Sequence, residues 1–268
     1  MKNTLARSYL FVPGDRPERF DKACAAGAHA VIIDLEDAVP PAGKQAARAA
    51  VAAWVSPDHP VLVRVNGAGS EWFADDLALC DLPGVAGIVL PKAENPQDIA
   101  QLVAAGAKRV LPLIETAQGV WNAHALATAP GVQRLMFGSI DFQLDAGIDG
   151  DVDELLYVRS QLVLVSRVAG IQPPVDGVTT ALDDPEQLRK DTQRARRLGF
   201  GGKLCIHPKQ VERVNRHFLP SEEDVAWARR VLQAAGDAQG AAVALDGKMV
   251  DLPVIRKAEE IVSEVERR

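Results

Sequence analysis

Cysteine is scarce. Cys24, Cys80 and Cys205 are the only three in 268 residues, odd in number and without a CxxC. That argues against a disulfide framework and makes a reducing cytoplasm the expected compartment, with buried structural thiols as the plain role. Long apolar runs are missing too. No stretch approaches the roughly 20 residues that cross a bilayer, so no membrane partner is expected. MKNTLARSYLFVPGDRP lacks an apolar segment followed by a small-residue cleavage site, and no signal peptide is read. Basic charge is not in excess either: 30 Lys and Arg face 36 Asp and Glu, a net charge of −6, without a basic stripe. Nucleic acid is a poor partner for such a chain. No HxxxH and no Cys/His cluster supports zinc. No GxGxxG follows a strand-like run, and no low-complexity stretch or solenoid repeat occurs.

What is present is an alternation. Short apolar runs occur at 8–13 (SYLFVP), 30–35 (AVIIDL), 61–66 (VLVRVN), 87–92 (GIVLPK), 109–115 (RVLPLIE), 134–141 (RLMFGSID), 173–180 (PPVDGVTT) and 202–208 (GKLCIHP). Between them lie segments of helical period, such as GKQAARAAVAAWV, SEWFADDLALC, NPQDIAQLVAAG, GVWNAHALATA and DPEQLRKDTQRARRLG. Several open on Pro, Ser or Asp and close near Gly, as helices do. Continuous rather than alternating cores such as IIDL suit strands buried on both faces of a parallel sheet. Eight such units predict an α/β fold, a closed (β/α)8 TIM barrel over residues 5–218, with 219–268 as a C-terminal helical extension. An open doubly wound sheet is the alternative.

In a barrel, reactive groups gather where the strands finish. The strand ends here supply Asp15 and Arg16, Glu36 and Asp37, Arg64 and Asn66, Lys92, Glu115, Asp141, Asp176 and His207. Each alone has a bland explanation as a surface or ion-paired residue; their convergence on one rim points to a site. Glu115 and Asp141 are the sharpest pair. Two oxygen ligands with open positions suit Mg²⁺, which keeps waters and takes substrate oxygens. Glu36 and Asp37 then fit as holders of the waters around that metal. Ordinary salt bridges from Glu115 and Asp141 to Arg64 and Lys92 are the competing reading. Arg64 interrupts an apolar strand and needs a partner; its planar fork suits a substrate carboxylate. Gly138 would let backbone approach a ligand closely. The cluster of Asp34, Glu36 and Asp37 within four positions demands a positive group or water, because an unpaired buried carboxylate is costly.

The segments RSYLFVPGDRPERFDKA, IIDLEDAV, VRVNG, LPKAE, LIETAQG, FGSID, GGKLCIHPKQV and DGKMVDLPVIRKAE occur in this order. Together they resemble the citrate lyase β-subunit-like family, which includes malyl-CoA and citramalyl-CoA lyases. The resemblance spans residues 7 to about 262. It implies a TIM barrel that uses Mg²⁺ and binds a short keto acid and a coenzyme A thioester. The implied reaction is reversible carbon–carbon cleavage of a 3-hydroxyacyl thioester. Carried over by motif, Glu115 and Asp141 hold the metal, and Arg64, Glu115, Ile140 and Asp141 contact substrate, Arg64 at the keto-acid carboxylate. Phe11, Arg16, Lys22, Ile206 and His207 match coenzyme A contacts. Asp251 in the MVDLP segment matches the family's acid/base and, with Arg64, forms the implied catalytic set. In relatives with the extension that segment reaches over a neighbouring subunit, so a homotrimer or hexamer is implied. The alternatives are a citrate lyase β subunit acting on a citryl-carrier-protein thioester, a metal-dependent aldolase of free hydroxy keto acids, and a non-catalytic assembly protein on the same barrel.

Overall fold

The computed structural model describes residues 5–237 and 243–266, which fall into two compact units divided between Asn215 and Arg216. In the first, eight parallel strands close into a barrel in the order of the sequence. They are β1 (Ser8–Pro13), β2 (Ala30–Asp34), β3 (Val61–Arg64), β4 (Val85–Leu90), β5 (Val110–Ile114), β6 (Met136–Phe137), β7 (Val175–Asp176) and β8 (Gly202–Cys205). Around them run α1 (Phe20–Cys24), α2 (Lys44–Trp54), α3 (Phe73–Asp76), α4 (Pro96–Ala104), α5 (Ala117–Trp121), α6 (Ala123–Ala127), α7 (Ser139–Ala146), α8 (Leu156–Val168), α9 (Pro185–Leu198) and α10 (Pro208–His217).

The strand interiors are mostly apolar because both faces are covered; Lys203 in β8 is an exception, its buried ammonium donating to Gly177 O at 2.6 Å. Tyr9, Ile32, Leu62, Val89, Leu111, Leu113, Met136, Val175 and Leu204 fill the barrel's centre. The helices begin where the sequence offers a cap. Asn95 accepts from Gln97 N ahead of α4, and Asp184 accepts from Glu186 N and Gln187 N ahead of α9. α9 ends at Gly199, whose φ of 100° only glycine adopts without strain.

Four expectations change, the first being PPVDGVTT, which is a strand only over Val175–Asp176. RLMFGSID is a strand only over Met136–Phe137; from Ser139 it is helix, which puts Asp141 in the first turn of α7 rather than at a strand end. A carboxylate there is favoured by the helix dipole. GVWNAHALATA breaks into two helices at Asn122, whose side-chain amide donates instead to Glu94 O at 2.8 Å. SEWFADDLALC forms only the single turn of α3 and a 3-10 turn, Leu77–Leu79.

The second unit holds α11 (Glu222–Asp237), a hairpin of β9 (Val243–Leu245) and β10 (Lys248–Val250), and α12 (Leu252–Glu266). The hairpin turns at Asp246-Gly247, both left-handed, as a tight antiparallel turn requires. The apolar stripe of α12 is covered in part within this unit. Ala258 and Ile261, with Val254, Ile255 and Val262 beside them, pack with Ala228 and Val231 of α11. Among the described residues no helix is long and apolar enough to cross a membrane.

Candidate active site

At the C-terminal ends of the barrel strands a cavity of about 410 Å³ opens. Its apolar wall comes from Phe11, Leu113, Phe137, Val178 and Leu204, with Ile140 and Ile206 also facing it. Its polar wall is Asp34, Asp37, Arg64, Glu115, Ser139 and Asp141. Residues from β1, β2, β3, β5, β6 and the loops after them thus meet in one place.

Glu115 directly follows β5 and is 1% exposed. Its Oε1 accepts the Lys92 backbone N–H at 2.7 Å. Its other oxygen lies over Gly138: a Cβ built there would sit 2.6 Å from Glu115 Cβ and collide with Oε2. Gly138 is therefore required by Glu115, a protein side chain, where the sequence suggested room for a ligand. Burial first, and then the charges of Glu36 and Asp141, push the Glu115 carboxyl up to about 8. Neither Glu115 nor Asp141 pairs with a cationic side chain among the described residues, and the salt bridges to Arg64 and Lys92 entertained above go elsewhere.

They go to the carboxylate cluster. The β2–β3 register sets Asp34 beside Arg64, and Arg64 Nε and Nη2 donate to Asp34 Oδ1 and Oδ2 at 2.7 and 2.6 Å. Nη1 donates to Asp37 Oδ2 at 3.3 Å, and lies 2.9 Å from Glu36 Oε2 in an ion pair whose angle makes no hydrogen bond. The Lys92 ammonium is held by Glu36 Oε1. Burial pulls the Arg64 pKa down, yet Asp34, Glu36 and Asp37 together hold it above the ordinary arginine value. Asp34 also accepts from Glu36 N at 2.9 Å and Ala38 N at 3.2 Å, which turns the chain after β2. The guanidinium stacks over Phe11, 5.0 Å from the ring centre. Arg64 thus lines the cavity, but Asp34 occupies the two-pronged face expected for a substrate carboxylate. Glu36 and Asp37, expected around a metal's waters, are engaged with Arg64 and Lys92.

Other expected residues lie elsewhere. Asp176 is fully buried against Arg159 at 2.9 Å, a structural ion pair rather than a rim residue. Asn66 is buried and held by Asp76 Oδ2 through its side chain at 2.7 Å and its N–H at 2.8 Å. Arg16 and Lys22 are exposed, and neither they nor His207 line the cavity. His207 Nδ1 accepts from Lys209 N at the start of α10. Asp251, in the second unit, accepts Val254 N at 3.3 Å and caps α12. Lys44 escaped notice. Its buried ammonium donates to the carbonyls of Leu35 and Glu36, both at 2.7 Å, and clamps the acidic turn. The crowding of carboxylates was the sequence's only hint of it.

Two converging carboxylates without a cation fit a divalent metal. No group of three or more His, Cys, Asp or Glu able to hold one occurs among the described residues. A metal here would rest on Glu115 and Asp141 and complete its shell from water and substrate oxygens, the habit of Mg²⁺.

Residues 7–208 match the HpcH/HpaI aldolase/citrate lyase family. The chain belongs to that family. It is 40% identical to a citrate lyase subunit beta-like protein of Deinococcus radiodurans, over 97% of each chain. It is 34% identical to a (3S)-malyl-CoA thioesterase of Cereibacter sphaeroides, over 97% of this chain and 94% of that one. The crystal structure of CitE from Mycobacterium tuberculosis, in complex with magnesium, acetoacetate and coenzyme A, has the same fold. Its TM-score is 0.88 at 36% identity, covering 98% of this chain and 99% of that one.

Proposed function

We propose that this member of the family is a Mg²⁺-dependent carbon–carbon lyase that cleaves a 3-hydroxyacyl-CoA to an acyl-CoA and a short keto acid, or joins them in reverse. The observation that carries this reading is the pair Glu115 and Asp141, converging without a cationic partner on a cavity whose remaining wall is largely apolar. Bound between them, Mg²⁺ would supply Lewis-acid polarisation of a keto or hydroxy oxygen. Glu115 must lose its proton to serve as a ligand, and the Lys92 N–H favours that charged form. Phe11, Ile140 and Ile206 restrict water around the reacting carbons. Arg64, fixed by Asp34, presents positive charge to the cavity rather than a free fork, so a substrate carboxylate would meet Nη1 in competition with Asp37. Asp251 is the proposed acid/base, and Arg16, Lys22 and His207 the outer coenzyme A contacts, on the strength of the motif resemblance.

The relative named as a thioesterase supports hydrolysis as a second reading. One experiment separates the two. Purified protein is incubated with Mg²⁺, acetyl-CoA and, in turn, glyoxylate, pyruvate and oxaloacetate, and product masses are recorded. A hydroxyacyl-CoA mass that disappears when Mg²⁺ is chelated is the expected result. In a parallel incubation supplied with malyl-CoA, free coenzyme A with malate supports the hydrolase and acetyl-CoA with glyoxylate the lyase, while no reaction of acetyl-CoA with any keto acid overturns the lyase.

A further inference from the structure

Lys92 follows β4 after a single proline and takes the left-handed backbone, with φ of 47°. Among the described residues only one other non-glycine does so, Asp246, and it sits in the β9–β10 turn where that geometry is ordinary. An L side chain crowds the following carbonyl in this conformation, so a lysine does not adopt it unaided. Such strain persists where the surroundings over-determine it, and it gathers at functional sites. Two contacts hold it here. The Lys92 N–H donates to Glu115 Oε1 at 2.7 Å, and the Lys92 ammonium is held by Glu36. The next residue is back on the barrel, Ala93 N donating to Leu113 O at 3.2 Å. The left-handed step therefore turns one backbone donor away from the strands and onto a buried carboxylate.

We propose that Lys92 is a positioning residue whose left-handed backbone fixes Glu115. It commits Oε1 to a backbone donor and leaves Oε2 against Gly138, at the start of the helix that carries Asp141. This rests on the reading of Glu115 and Asp141 as the metal-holding pair. The ion pair with Glu36 keeps the side chain in place, while the donor itself belongs to the main chain. Glycine at 92 would keep the donor and its direction without strain, and asparagine tolerates the same region. Valine, branched at Cβ, resists it.

Isothermal titration with Mn²⁺ of the wild type and of Lys92→Gly, Lys92→Asn and Lys92→Val tests this, with melting temperatures measured alongside. All three variants lose the ammonium, so the differences among them report the backbone. Lys92→Gly and Lys92→Asn should bind within roughly threefold of the wild type, and Lys92→Val about tenfold more weakly, as the disfavour for left-handed backbone implies. A purely structural role would lower the melting temperature of Lys92→Val without moving its metal affinity, and would overturn the proposal. So would a Lys92→Gly protein as weak as Lys92→Val, since the ammonium would then be what matters. If Lys92→Val does not fold, Lys92→Ala takes its place against Lys92→Gly, with the same two outcomes. A wild type that binds no Mn²⁺ overturns the metal-holding reading itself, and this inference with it.

Discussion

Glu115 sits in conflict with its surroundings. It is buried, Glu36 and Asp141 add like charge, and its carboxyl is raised from the ordinary 4.5 to about 8. Between those two values the folded chain keeps a proton that the unfolded chain has released. The metal-free protein therefore loses stability as pH rises through that window. Glu115→Gln removes the titration and keeps the shape. In metal-free buffer the variant should melt above the wild type at about pH 8.5, and the gap should narrow towards about pH 6, where the wild type still holds its proton. Mg²⁺ should raise the melting temperature of the wild type and not of the variant. Thermal denaturation at both pH values checks this, and a gap independent of pH would show that Glu115 is not the group holding the proton. Glu115 and Asp141 were legible in the sequence because each follows an apolar run closely. The partner of Arg64 was not. It is set by the β2–β3 register, which pairs Asp34 with Arg64, and no local pattern encodes a register between strands.

The same contrast holds one scale up. Strands with long apolar runs, such as Ser8–Pro13, coincide with their sequence signal, whereas RLMFGSID hides a junction. Its apolar character continues across Gly138, but the chain passes from the two residues of β6 into α7. At that junction Glu115 fills the space a side chain at 138 would need, so glycine is required there. Gly138→Ala tests this. Its φ of −91° is open to alanine, so the backbone should persist. The added methyl, 2.6 Å from Glu115 Cβ, must push the carboxylate aside. We expect an intact circular dichroism spectrum, a stability loss of about 1–3 kcal/mol in the range of overpacked sites, and loss of the Mg²⁺-induced rise in melting temperature. A variant that responds to Mg²⁺ as the wild type does would show that Glu115 has room to spare. Asp176 teaches the opposite lesson: a carboxylate at a strand end looks like a site residue until Arg159, 17 positions earlier, is seen to neutralise it in the core.

For the whole molecule, the barrel could be read from the eightfold alternation alone, since each strand–helix unit carries its own period. The second unit could be read only in part. A C-terminal helical extension was expected, but that α12 packs on α11 was not, because helix pairing within a unit leaves no local mark. Only Ala258 and Ile261 of the apolar stripe on α12 are fully buried there, and the proposal of a homo-oligomer rests on Asp251. That residue caps α12, so Asp251→Ala would remove a cap worth about 1 kcal/mol as well as the acid/base. Asp251→Asn keeps the cap and removes only the acid/base. If Asp251 serves the site of an adjacent copy in a closed ring, Asp251→Asn chains carry an intact Glu115 and Glu115→Gln chains an intact Asp251. Co-expressed in equal amounts with two tags and purified through both, the mixed assemblies should recover activity that neither parent has. In a mixed trimer, two-to-one either way, one site in three receives both intact groups, so about a third of wild-type activity is expected, and about a quarter for a mixed hexamer. Where Asp251 serves its own chain's site, every site lacks one group whatever its neighbours, and mixed assemblies that stay as inactive as the parents would remove the cross-subunit role.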